Sequence, residues 1–207
     1  MSAVASQSRT TILLFGAVAV AWAVTAERMR GMDAGPGTDL GGLGWYLGIW
    51  ATMTVAMMLP SAAPTALLLA RVRRGASPAV FAAGYLGAWT AYGVAAYGVF
   101  SLVTSLDTDR LSWDQSGPYV VGGAIVAAGI YELTPLKQRF LGHSRSPFVS
   151  VGTDQGGLGA LRIGLAHGLY CVGCCFGLMA VLFALGVMSL LWMAVVAGVI
   201  FAEKVLP

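Results

Sequence analysis

The stretch from Ile163 to Ala202 gives the strongest indication of the fold class, and it reads IGLAHGLYCVGCCFGLMAVLFALGVMSLLWMAVVAGVIFA. It contains no Asp, Glu, Lys or Arg. A membrane-spanning helix needs about 20 mainly apolar residues, because the hydrocarbon core of a bilayer is about 30 Å thick. The stretch is long enough for two such helices, so it predicts consecutive spans at about 158–186 and 188–206.

The composition of the whole chain points to the same class of protein. Of its 207 residues, 57% are hydrophobic and 10% are charged, whereas a soluble domain carries about 25% charged residues. We therefore expect an all-α, polytopic transmembrane helix bundle in contact with the lipid bilayer, forming a single domain over residues 1–207. Six spans are predicted, at roughly 10–27, 43–70, 78–105, 117–137, 158–186 and 188–206.

The distribution of Lys and Arg predicts the orientation of these spans. Nine of the twelve basic residues fall on one side of the predicted topology. They are Arg9, Arg71, Arg73, Arg74, Lys137, Arg139, Arg145, Arg162 and Lys204. The positive-inside rule then places both termini in the cytoplasm, with the protein in the inner (cytoplasmic) membrane. These residues sit in short loops and not along one helix face, so nucleic-acid binding is not expected.

All three cysteines lie in the fifth predicted span, with a histidine one turn before the first of them. At about 100° per residue, His167, Cys171, Cys174 and Cys175 fall within an arc of about 100° on one helix face. Thiolate and imidazole are soft to borderline donors that suit Cu(I) or zinc. The stripe therefore predicts a soft-metal site. Small buried thiols that only fill space are the alternative interpretation, and a redox pair formed by the CxxC spacing is another.

The segment from Met53 to Pro64, MTVAMMLPSAAP, gives the second predicted span an unusual centre. Proline removes a backbone N–H and clashes with the carbonyl four residues before it. Pro60 and Pro64 therefore predict a broken helix, a feature that recurs at transport sites. The thioethers of Met53, Met57 and Met58 are soft donors that this break could present to a metal. Ordinary core packing around a kink is the alternative interpretation.

Glu132 and His143 are candidate ligands at the inner end of the predicted bundle. Glu132 lies near the boundary of the fourth span, where an ionisable residue suggests a function by default. A carboxylate paired with Lys137 or Arg139 is the alternative. His143 falls in the connection 138–157, which we expect to be the longest loop.

Three segments, in this order and spacing, resemble the DUF2182 family of predicted metal-binding integral membrane proteins. They are MTVAMMLPSAAP at 53–64, YELTPLKQRFLGHSRSP at 131–147 and HGLYCVGCCFGLM at 167–179. The resemblance implies a metal site at Cys171, Cys174 and Cys175, with His167 as a further ligand. The family pattern has cysteines around the loop histidine, whereas Phe140 and Ser144 stand there in this chain.

The sequence is compatible with three functions. The favoured one is a membrane protein that binds Cu(I), with zinc as the other candidate metal, for metal transport or homeostasis. A membrane enzyme with a copper centre or a redox thiol pair is the second. The third is a structural subunit or homo-oligomer that packs through small-residue faces such as Gly173 and Gly177, which form a GxxxG pair.

Overall fold

The computed structural model describes residues 2–30, 40–72, 77–105, 113–145, 157–186 and 189–205. Within these ranges the chain forms seven α-helices and no strand, which confirms the all-α prediction. In chain order the helices are α1 (Ser2–Arg28), α2 (Leu43–Val72), α3 (Pro78–Ser105), α4 (Trp113–Glu132), α5 (Pro135–Arg145), α6 (Gly157–Gly186) and α7 (Leu190–Val205).

Four helices of the described chain are long and apolar enough to cross a membrane. The qualifying segments are Thr10–Arg28, Leu43–Leu69, Pro78–Leu102 and Gly157–Leu182. The other two predicted spans correspond to α4 and α7, which are not among the four. Helix α7 has 16 residues, which gives it a length of about 24 Å at 1.5 Å per residue. The number of six spans therefore remains a prediction.

The expectation of a broken second helix is wrong, because α2 runs without interruption from Leu43 to Val72 with both prolines inside it. The carbonyl oxygen of Ala56, which Pro60 cannot bond, accepts a hydrogen bond of 3.1 Å from the Trp22 indole of α1. Backbone groups freed by proline must find other partners where water is absent. A side chain from the neighbouring helix meets that need, so the helix continues through the proline.

The prediction of a loop over 138–157 is wrong for its first part. Residues 138–145 belong to the helix α5, and 146–156 lie outside the described residues. The backbone N–H of Lys137 donates to the hydroxyl of Thr134 at 3.3 Å, and Pro135 occupies the first helical position. Threonine as N-cap followed by proline is a strong helix start. For this reason the fourth helix ends at Glu132, before the predicted boundary at 137.

Helix α6 lies at the centre of the arrangement, packed against α3, α4, α5 and α7. Its glycines permit these contacts. A Cβ at Gly164 would meet the backbone carbonyl of Phe81 on α3. One at Gly173 would lie 2.7 Å from the Phe140 ring of α5, and one at Gly177 3.1 Å from Tyr131 of α4. The small-residue pairs of α6 are therefore used for contacts inside the chain.

Candidate metal centre

The three cysteines come together on the buried side of α6. The exposed fractions of Cys171, Cys174 and Cys175 are 0%, 1% and 1%. Their Sγ atoms all lie within 4.8 Å of one another, and those of Cys174 and Cys175 are 3.5 Å apart. All three are free thiols. These distances allow one metal ion to be held by all three sulfurs.

His167 is buried one helical turn before Cys171, with 2% of its surface exposed. Its ring packs against two aromatic rings of α3, with its centroid 5.7 Å from that of Phe81 and 5.9 Å from that of Tyr85. The Nε2 atom has no hydrogen-bond partner among the described residues. Buried polar atoms without a partner are rare in native proteins and need an explanation. His167 is not part of the 4.8 Å group of donor atoms, so metal ligation by its nitrogen remains a prediction.

Tyr85 of α3 connects the cysteines to α2, a role that the sequence did not predict. Its hydroxyl lies 2.9 Å from the sulfur of Cys171 and donates to the carbonyl oxygen of Met58 at 3.4 Å. The tyrosine itself is fully buried. The sequence signal was weak, because this helix contains three tyrosines, Tyr85, Tyr92 and Tyr97, and the register between α3 and α6 decides which of them contacts the cysteines.

Lys204 is the second residue that the sequence did not predict at the site. It lies near the C-terminal end of α7, and its Nζ atom donates to the sulfur of Cys171 at 2.8 Å. The same Nζ donates to the hydroxyl of Ser61 on α2 at 3.3 Å. An ammonium group therefore touches the cluster of thiols. Lysine at the end of an apolar segment usually extends to the membrane surface, which is why the sequence pattern did not indicate this contact.

The candidate methionines are buried in the same core as the cysteines. Met53, Met57 and Met58 expose 2%, 2% and 0% of their surfaces. Hydrogen bonds of the Tyr85 hydroxyl join the backbone of Met58 to the sulfur of Cys171. Ligation by a thioether remains a prediction.

The structure places Glu132 and His143 in other surroundings. Glu132 forms an ion pair with Lys137, which also binds Glu203 of α7 at 2.6 Å. This is the carboxylate–lysine pairing considered as the alternative from the sequence. His143 lies in α5 and not in a loop, with its Nδ1 2.8 Å from the carbonyl oxygen of Arg139. Neither residue belongs to the group of cysteine donor atoms among the described residues.

The chemistry of this centre follows from its sulfur donors and from their burial away from water. Sulfur donors select soft ions, and a thiol that binds a metal loses its proton. The lysine beside Cys171 supplies a positive charge next to the developing thiolate. A buried thiol cluster on a helix of membrane-spanning length therefore defines the class, which is a helical protein with a candidate soft-metal site.

Comparison with known families narrows that class. The chain belongs to the family described as "PpoB2: Copper chaperone", whose model matches residues 47–207. The match begins in α2 and includes all three cysteines and Lys204. No curated protein and no solved structure matches the chain. The description of this family agrees with copper as the metal expected from the sequence. The likeness to the DUF2182 family remains a resemblance.

Proposed function

We propose that this protein is an integral membrane protein that binds Cu(I) at Cys171, Cys174 and Cys175 and passes the ion on in copper homeostasis. The observation that carries the proposal is the group of three buried sulfur atoms within 4.8 Å of one another. They lie on a helix long and apolar enough to cross a membrane. The family description, copper chaperone, supports the same function. The ion is a cargo in this proposal.

The donor set favours a soft monovalent ion over the alternatives. Thiolates bind Cu(I) and zinc, whereas carboxylates and carbonyls suit magnesium and calcium. Zinc structural sites are usually closed by four ligands in a tetrahedron. The group of mutually close donors has three members, which suits an ion of low coordination number. His167, one helical turn before Cys171, would provide a fourth donor. Zinc, which usually takes four ligands, is therefore the competing metal.

The membrane topology in this proposal has six spans, with α4 and α7 added to the four long helices. Helix α4 has 20 residues, about 30 Å at 1.5 Å per residue, which matches the hydrocarbon core. Both termini lie in the cytoplasm and the protein resides in the inner membrane. This orientation rests on the positive-inside rule, under which the side richer in Lys and Arg faces the cytoplasm.

The copper proposal is tested by the metal content of the purified full chain. Protein reconstituted in lipid nanodiscs and supplied with Cu(I) should retain about one copper per chain after removal of excess metal, since it has one sulfur cluster. Cys171→Ser should lose the ion while circular dichroism shows an unchanged helix content. A wild-type chain that retains no copper, or a serine variant that retains all of it, contradicts the proposal.

Thiol–disulfide exchange is the second candidate function, and the short distance between sulfurs favours it. Cys171 and Cys174 have the CxxC spacing, and all three sulfurs are within reach of one another. In such an exchange two thiols of the protein form a disulfide, and an external disulfide takes up both electrons and both protons. Counting free thiols after treatment with glutathione disulfide separates the two functions. Three remaining thiols favour copper binding, and one remaining thiol favours exchange.

A further inference from the structure

Lys204 places a partly buried positive charge against the proposed copper site. Its Nζ lies 2.8 Å from the sulfur of Cys171 and 3.3 Å from the hydroxyl of Ser61. The residue is remote from the cysteines in sequence and reaches them because α7 packs against both α2 and α6. We propose that Lys204 is the counter-ion of the metal–thiolate complex, so that α7 supplies a determinant of copper affinity. This inference rests on the proposed function.

The charge of the complex is the reason that a cation is needed there. One Cu(I) ion bound by two thiolates carries a net charge of −1, and bound by three thiolates it carries −2. An uncompensated charge is very unfavourable away from water, because the solvation that stabilises it is lost. A single ammonium group beside Cys171 neutralises the two-thiolate complex and halves the charge of the three-thiolate complex. A neutral residue at this position would leave the full charge in the bundle.

Several contacts hold Lys204 in this position. The hydroxyl of Ser61 donates to the carbonyl oxygen of Met58 at 2.8 Å, which leaves its lone pairs free to accept from the ammonium group. The preceding residue, Glu203, accepts a hydrogen bond from Lys137 at 2.6 Å and binds Arg145 through its carbonyl oxygen at 2.7 Å. Helix α7 is therefore fixed to α5 on one side, while Lys204 extends toward α2 and α6.

The neighbouring cations Lys137 and Arg145 already have other partners, so Lys204 is the positive charge that contacts the sulfurs. Lys137 is 2% exposed and lies between the carboxylates of Glu132 and Glu203. Arg145 binds the backbone of Glu203. The sulfurs of Cys174 and Cys175 contact each other, while Lys204 contacts Cys171. The ammonium group therefore contacts the cluster at Cys171.

The test compares Lys204→Met with Lys204→Arg in the full chain in nanodiscs. The measurement is the Cu(I) dissociation constant, obtained by competition with a chromogenic Cu(I) chelator. The methionine variant should bind copper about 10- to 100-fold more weakly, as expected for loss of a hydrogen bond between charged groups. The arginine variant keeps the charge but not the compact ammonium group, so it should bind copper more tightly than the methionine variant. Arg139→Met removes an exposed cation of α5 and should change nothing.

The outcomes separate this inference from the proposed function. If the wild type binds copper, Cys171→Ser loses it and folded Lys204→Met binds as tightly as the wild type, the counter-ion role is overturned. Tighter binding by Lys204→Met also overturns it, because the ammonium group would then compete with the metal. If Lys204→Met does not fold, Lys204→Gln decides in the same way, since it keeps a donor for Ser61 without the charge. Retention of all the copper by Cys171→Ser contradicts the proposed function itself.

Discussion

The approach of α3 to α6 depends on a glycine, and replacing it tests the packing that positions the site. In Gly164→Ala the new Cβ would meet the carbonyl oxygen of Phe81, and the carbonyl carbon would be 2.9 Å away. Ordinary contact begins at 3.4 Å. The helices would therefore have to separate by about 0.5 Å or more, and the obstacle is backbone, which cannot rotate away. Overpacking of this kind costs about 1–3 kcal/mol.

The matched control for this variant is Gly198→Ala in α7. A Cβ at Gly198 meets nothing within 4 Å, and the residue is exposed. Both substitutions gain about the same helix propensity, near 1 kcal/mol, so the difference between them isolates the packing cost. Unfolding in mixed micelles, followed by far-UV circular dichroism, should show Gly164→Ala to be less stable than Gly198→Ala by about 1–3 kcal/mol. Equal stabilities would refute the close α3–α6 contact.

Three further substitutions test other contacts. Lys137→Met removes the buried partner of two partly exposed carboxylates and should lower the unfolding free energy by about 1–3 kcal/mol. The exposed Arg139→Met should shift it by less than about 0.5 kcal/mol, and equal shifts would contradict the ion pair at Lys137. Trp22→Phe removes the donor to the carbonyl oxygen of Ala56 in α2 and should lower the unfolding free energy by about 1–3 kcal/mol in the same assay. An unchanged stability would show that this carbonyl has another partner. Tyr85→Phe keeps the ring but loses the hydroxyl at Cys171 and should weaken Cu(I) binding about threefold to tenfold in the chelator competition; unchanged binding would remove the hydroxyl from the site.

The helices themselves were predictable because their signal is local. The uncharged run from Ile163 to Ala202 and the other apolar stretches predicted α1, α2, α3 and α6 with ends within a few residues of those observed, apart from the N-terminal start of α1. Helix α5 was missed because its residues are polar, although Thr134 and Pro135 carry a local start signal. Continuity of α2 was missed because it depends on Trp22, a partner from another helix.

The candidate site was likewise predictable only where its signal lies within one helix. The grouping of Cys171, Cys174 and Cys175 follows from helical periodicity within one segment, so spacing alone was sufficient to predict that they share a face. Tyr85 and Lys204 reach Cys171 from α3 and α7. Such contacts depend on how separate helices pack, and a pattern within one helix carries no information about that.

X-ray absorption at the copper edge, on the Cu(I)-loaded full chain, identifies the atoms that bind the metal and so tests whether the cysteines hold it. Two or three sulfur atoms should form the first coordination shell, and the double variant Cys171→Ser/Cys174→Ser should lose the bound copper. A first shell made only of nitrogen and oxygen atoms, or a spectrum that the double substitution leaves unchanged, would contradict copper binding by the cysteines.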